Sequence, residues 1–246
     1  VRLVCLRNMK SKKMLLVALL SLALFSACDR YENIRGRGAI RSEVRFENGF
    51  DAVSLRTSAE VEIHQDTAFF IEVFDYENIV YYTRTYVEHH TLVIDVERHV
   101  NLRNSKARVV IHMPDLEEVK ISGSGEINIS DSFHNFRKAE ISGSGKISAM
   151  SVYSNEMMHV RIGGSGSIRM SGEASNLEAE ISGSGRLNLF GLDAKRAYVK
   201  ISGSGSSEVS ASDYLEAEIS GSGSVIYDGN PIVHSRISGS GTVRHR

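Results

Sequence analysis

Cysteine is almost missing from this chain: only Cys5 and Cys28 occur among 246 residues. Cys5 falls upstream of the expected mature chain, so Cys28 has no partner. A structural disulfide and a thiolate metal site are both excluded, and stability must come from packing and backbone pairing. An excess of cations is missing too. The formal net charge is -1, which argues against a nucleic-acid partner, since that would want a basic surface. No helical period of useful length appears after residue 30, which leaves strands as the regular structure.

The start of the chain reads as a targeting segment. Met9-Lys10-Ser11-Lys12-Lys13 is a short basic stretch, and residues 14–25 form an unbroken apolar and small run that ends at Ser26-Ala27-Cys28. A basic start, a short apolar core and a small-residue cleavage site make a secretory signal. The run falls short of the about 20 apolar residues a spanning helix needs. Leu24-Phe25-Ser26-Ala27-Cys28 resembles a bacterial lipobox, with Phe25 standing where Leu or Val is usual. By that resemblance Cys28 is diacylated and becomes the new N-terminus. Each buried methylene then contributes about 0.8 kcal/mol of membrane attachment. Residues 1–27 hold five cations and no acids, so the chain from Cys28 onward carries about -6.

A repeat accounts for most of the remaining chain. Ile-Ser-Gly-Ser-Gly starts at residues 121, 141, 181, 201, 219 and 237, and Ile162-Gly163-Gly164-Ser165-Gly166 is a variant copy. A spacing of 18–21 residues indicates a solenoid. An apolar or small residue lies two before most of the isoleucines, and apolar residues alternate after the glycines, as in Ile127 and Ile129 or Leu187 and Leu189. Alternation with period two means strands with one buried face. Each unit is therefore a strand, a Gly-Ser corner, a second strand and a looser return.

The column just before each isoleucine decides between parallel stacking and antiparallel hairpins. It reads Lys120, Glu140, Arg161, Glu180, Lys200, Glu218, Arg236, charged throughout and alternating in sign. If the copies stack in parallel and in register, these side chains lie about 4.8 Å apart up one face. Each then meets only opposite charges, where like charges would destabilise the pair. In an antiparallel meander the alternation has no such reason. The predicted fold is all-β: a parallel β-helix with coils of about 18–21 residues.

The chain divides into four segments: residues 1–27 as a lipoprotein-type signal, 28–37 as a polar tether, 38–115 as an N-terminal β region and 116–246 as the Gly-Ser repeat β-helix. The β region holds a worn copy, in which residues 50–63 match 116–129 position for position. Three strand-like runs come after it, over residues 69–74, 91–97 and 107–113, and Pro114 ends the last. This region is expected to start and cap the stack. At the other end the last coil is expected to offer an open edge for self-association, with Arg244, His245 and Arg246 discouraging it.

Chemistry is harder to find. The acids are spread along the alternating column, where cations neutralise them, and a nucleophilic serine would occur once, not in seven corners. Calcium-binding glycine repeats need an Asp after the glycines; the variant copy has Ser167 there, and the other corners lack it too. His89 and His90 are adjacent, so on a strand they face opposite ways and do not chelate one ion. No cofactor, metal site or catalytic residue is expected. Tyr76, Tyr81, Tyr82 and Tyr86 lie between two predicted strands near Phe69 and Phe70, a candidate patch for a glycan or protein ligand. Asp66-Thr67-Ala68 is similar to a short O-glycosylation motif of some Gram-negative exported proteins.

The lipoprotein-like signal, the opening Phe50-Asp51-Ala52-Val53, the junction Met113-Pro114-Asp115-Leu116 and the repeats around Gly125-Glu126-Ile127-Asn128 and Gly185-Arg186-Leu187-Asn188 together resemble a known family. It is the putative auto-transporter adhesin, head GIN domain family, and the likeness covers roughly residues 44–246. The resemblance implies a right-handed β-helix in exported, often lipid-anchored bacterial proteins, and carries over no catalytic residue. The expected protein is a non-enzymatic lipoprotein of the cell envelope, at the outer membrane, presenting a β-helical surface for adhesion or scaffolding. The rival is a carbohydrate-active or carbohydrate-binding protein on the same framework. A cleft with two or more unpaired acids on one face of the coils would move the reading towards the enzyme.

Overall fold

The computed structural model describes residues 31–246. The Gly-Ser corners organise it. In every copy but the last the isoleucine is buried: Ile121, Ile141, Ile162, Ile181, Ile201 and Ile219 are all at most 2% exposed, while Ile237 at the open end is 45% exposed. Each buried isoleucine contributes about 1.5–3 kcal/mol by leaving water. The serines face out, while the two glycines serve different ends. Gly183 has φ +126, and a Cβ there would sit 2.5 Å from the Gly164 carbonyl oxygen of the coil below. Gly185 is buried, and a Cβ there would meet Ile162 at 2.6 Å. The first glycine lets the chain turn against its neighbour, and the second makes room for the neighbour's isoleucine.

The coils stack in parallel and in register, as a β-solenoid. Lys138–Gly143 lies on the end of Lys146–Gly164, which pairs with Ser167–Gly183, then Arg186–Gly203, then Ser206–Gly221. The return expected to be looser is itself strand. It bends through bulges, such as those between Ala149 and Val152 and between Ser154 and Met157, which turn the strand from one face to the next. The core is one continuous column of Ile, Val, Leu and Ala.

The N-terminal end is laid down out of chain order. The worn copy, Ala52–Leu55 and Glu60–Gln65, stacks beneath the first Gly-Ser coil, with Val53 on Val119, Leu55 on Ile121, Val61 on Ile127 and Ile63 on Ile129. The next chain segment does not continue upward. Thr91–Val96 and Arg108–Met113 stack beneath the worn copy as the outermost coil. The chain then passes over that copy to residue 118. Three antiparallel strands close the end: Phe70–Tyr76 on Arg108–Met113, Ile40–Arg45 on Phe70–Tyr76, and Thr83–Glu88 on Thr91–Val96. The stretch read as a tether is partly a strand. Glu32–Arg35 pairs in parallel with Val100–Arg103, so its backbone is held by the loop that replaces the outermost coil's corner.

Buried Asp75 ties that loop down. It accepts hydrogen bonds from the Ser105 hydroxyl at 2.6 Å and the Lys106 amide at 2.9 Å. At the other end, Ile232–Gly239 and Thr242–His245 are paired on one side only among the described residues. Arg246 folds back there, 3.5 Å from Asp228 and over the Phe190 ring at 5.0 Å. No helix among the described residues is long and apolar enough to cross a membrane. Cys28 lies outside the described residues.

Candidate functional site

The stacking sets Lys120, Glu140, Arg161, Glu180, Lys200, Glu218 and Arg236 in consecutive register. Three of the six neighbouring pairs close as ion pairs: Lys120 with Glu140 at 3.0 Å, Arg161 with Glu180 at 2.7 Å, and Glu218 with Arg236 at 2.8 Å. A second column runs beside it, two residues earlier in each coil: Glu118, Lys138, His159, Glu178, Tyr198, Glu216, His234. It joins the first through Lys138 to Glu140 at 2.8 Å and Arg236 to Glu216 at 2.8 Å, and it has its own pair, His159 to Glu178 at 2.6 Å. Glu140 sits where the columns meet, with its side chain 14% exposed. Burial pushes its carboxyl up, but hydrogen bonds from Lys138 and Lys120 outweigh that and hold it down at about 2. The second column is hard to read in the sequence because His and Tyr interrupt its signs. The double column neutralises itself, which suits a structural seam.

The four tyrosines do not form one patch. Tyr81 and Tyr82 pack on the 3₁₀ turn Val80–Tyr82 with ring centroids 4.4 Å apart. Contact with the Tyr81 hydroxyl raises the Tyr82 phenol above its ordinary value. Tyr86 stands apart, under the Arg84 guanidinium at 5.5 Å and accepting a hydrogen bond from Arg56 at 3.3 Å. Tyr76 is half-buried at the end of its strand. Among the described residues no ring contact joins Tyr76 or Tyr86 to the Tyr81–Tyr82 pair.

The sequence reading missed the return face. Its outward column runs His134, Tyr153, Glu173, Asp193, Ser210, Asp228. From Tyr153 onward these positions line an open groove of about 520 Å³, with Asn155, Lys195 and Ser212 along its side. The His134 and Tyr153 rings stack at 5.0 Å where the column begins. Asp228 is paired with Arg246. Glu173 and Asp193 are direct register neighbours, and among the described residues neither has a cation within 4.0 Å. Like charges set opposite each other weaken a sheet, so stability does not explain this pair. A signal was present in the sequence, as two acids about 20 residues apart, but the irregular returns hide the register.

The model of the family of putative auto-transporter adhesins with a head GIN domain matches residues 49–231. The chain belongs to this family. Crystal structures of similar fold come from bacteria. A putative adhesin of Bacteroides fragilis has a TM-score of 0.79 at 20% identity, over 87% of this chain and all of its own. A putative lipid binding protein of Parabacteroides distasonis has 0.74 at 24%, with the same shares covered. A putative adhesin of that species has 0.72 at 22%, again over 87% and 100%. These likenesses show a shared fold. Comparison with curated proteins gives no match. For the head GIN domain, then, the double column belongs to the scaffold, and the groove is where this chain departs from what stability asks.

Proposed function

We propose that this chain is a non-enzymatic lipoprotein of the cell envelope, held at the outer membrane by acylated Cys28, whose rigid solenoid is a surface for adhesion. The contact is the groove of Tyr153, Glu173 and Asp193. The observation that carries this is the uncompensated pair Glu173 and Asp193 on a stack whose Lys120 to Arg236 column alternates in sign. Two carboxylates on a rigid sheet beside an aromatic platform suit the hydroxyls of a glycan. That favours a surface glycan over a protein ligand, and it brings the carbohydrate-binding alternative into the same reading. Hydrolysis is disfavoured because Glu173 and Asp193 are exposed, whereas a catalytic acid is set apart by burial. Self-association through the unpaired strands near residues 232–245 remains a secondary proposal, checked by sedimentation of chains with and without residues 244–246.

Binding to an array of bacterial and host glycans tests the groove. Parent protein should bind, and Glu173→Gln/Asp193→Asn should lose at least tenfold in affinity with a melting temperature equal to or slightly above the parent's. Equal binding by both refutes the groove, and release of reducing sugar by the parent alone restores the enzyme reading. Labelling with a fatty-acid analogue in parent and Cys28→Ser cells tests the anchor. Protease shaving of intact cells tests exposure.

A further inference from the structure

The strand Ile40–Arg45 is inverted. Its charged residues Arg41, Glu43 and Arg45 lie on the side that carries core residues in the neighbouring strand, opposite Asp75, Val73 and Ile71. Its apolar residues face outward: Ile40 is 49% exposed, Val44 40%, and Phe46, just beyond the strand, 86%. The register continues Phe46 to Phe70, which is 40% exposed. Phe74 and Val110 extend the same outer face and are half-buried, with Glu72 the one acid set between Val44 and Val110. A protein does not turn a strand's apolar side to water for stability.

Beside this strip lies unbalanced positive charge. Parallel pairing of Glu32–Arg35 with Val100–Arg103 sets Arg35 next to Arg103. Among the described residues neither has a carboxylate within 4.0 Å, nor do the exposed side chains of Arg37, Arg98 and Lys106. The nearby Glu77 is taken by Arg41 at 3.7 Å. Hydrogen bonds join this group to the strip: Asn78 donates to the Arg35 carbonyl at 3.0 Å, and Glu77 N–H donates to the Ala39 carbonyl at 2.8 Å. Apolar side chains bordered by unpaired arginines are the composition of a surface that lies in a bilayer interface.

We infer that the N-terminal cap seats directly on a bilayer rich in anionic lipid, through Ile40, Val44, Phe46 and Phe70 with Arg35 and Arg103 on phosphate headgroups. Chain length supports that occupant. Cys28 is about four residues before the strand Glu32–Arg35, a reach on the order of 15 Å, so an anchor there holds this end of the stack at the membrane. The solenoid then stands with the groove's coils and the 232–245 end away from the lipid. The choice of a bilayer rests on the envelope reading; the strip and the arginine pair do not.

The chain contains no tryptophan, so single reporters are clean. Full-length Phe46→Trp and Ile232→Trp are mixed with vesicles of brominated phosphatidylcholine, with and without phosphatidylglycerol. The emission of Phe46→Trp should shift to the blue and be quenched in anionic vesicles, and that of Ile232→Trp should not. Arg35→Glu/Arg103→Glu should lower partition of the Phe46→Trp chain about 20-fold at low salt, with an unchanged β-sheet circular dichroism spectrum. Equal quenching of the two reporters, indifference to vesicle charge, or a concentration-dependent blue shift of Phe46→Trp without vesicles, which means a dimer, overturns the inference. Repeating the measurement in Cys28→Ser separates the two readings. Quenching that persists upholds the surface without the anchor, and quenching that vanishes overturns it while leaving acylation intact.

Discussion

Glu140→Lys puts the charge seam to its hardest test. The carboxylate receives Lys120 at 3.0 Å and Lys138 at 2.8 Å, and Arg161 is its register neighbour above. Losing two partly screened ion pairs costs about 1–2 kcal/mol, which Glu140→Gln measures alone. A lysine adds repulsion from three cations at about 0.2–1 kcal/mol each. The total is near 3 kcal/mol, or a melting temperature lower by roughly 6–12 °C for a chain of this size. Thermal melts at about 0.01 M and 1 M salt read the electrostatic share, because the screening length falls from about 30 to 3 Å. Lys120→Glu in the Glu140→Lys background restores an opposite pair and should return about 1 kcal/mol as coupling. Lys200→Glu, far up the stack, should show none. Equal coupling from the near and the distant partner, or a melt indifferent to salt, refutes the reasoning.

Three further outcomes are expected. Gly183→Ala should cost about 2–4 kcal/mol, since φ is +126 and the Gly164 carbonyl blocks a Cβ, while Ser182→Ala should stay within about 0.5 kcal/mol; urea melts compare them. Glu140 has a folded pKa of about 2 against an ordinary 4.5, so its stabilisation is full above 4.5 and is lost as pH falls through 2. The parent should therefore outlast Glu140→Gln by about 1 kcal/mol at pH 6 after allowing for solvent screening, with the gap closing below pH 3. Asp75→Ala strands the Ser105 hydroxyl and Lys106 amide; it should cost about 2–3 kcal/mol and open residues 97–107 to limited proteolysis.

The solenoid was legible because each corner imposes the same two steric demands, so its glycines recur and fix the register of everything between them. The worn copy, whose corner has Ala59 where later coils have glycine, was legible instead from its apolar positions, Val53, Leu55, Val61 and Ile63, which match those of the first full coil. The cap was not. Thr91–Val96 and Arg108–Met113 form a coil with no corner motif, and pairing order cannot be read from strand order. Ile40–Arg45 escaped notice because its alternation points the wrong way for a core. The tyrosines were grouped by sequence proximity, but a turn and a strand carry them apart. The groove depends on bulged returns, whose offsets of one to three residues decide which side chains share a column.

The crossing of the chain at residues 114–117 has a consequence for assembly. The worn copy leaves the ribosome before either layer that sandwiches it, so it waits, unfinished, for both. Only after residue 113 has gone beneath and residue 118 above does it lie inside a closed stack. Laying one coil on the last, the cheap route for a repeat protein, is open only from there onward. The slow contacts are thus gathered at the N-terminal end of the stack, and the first turn made becomes a keystone rather than a loose end.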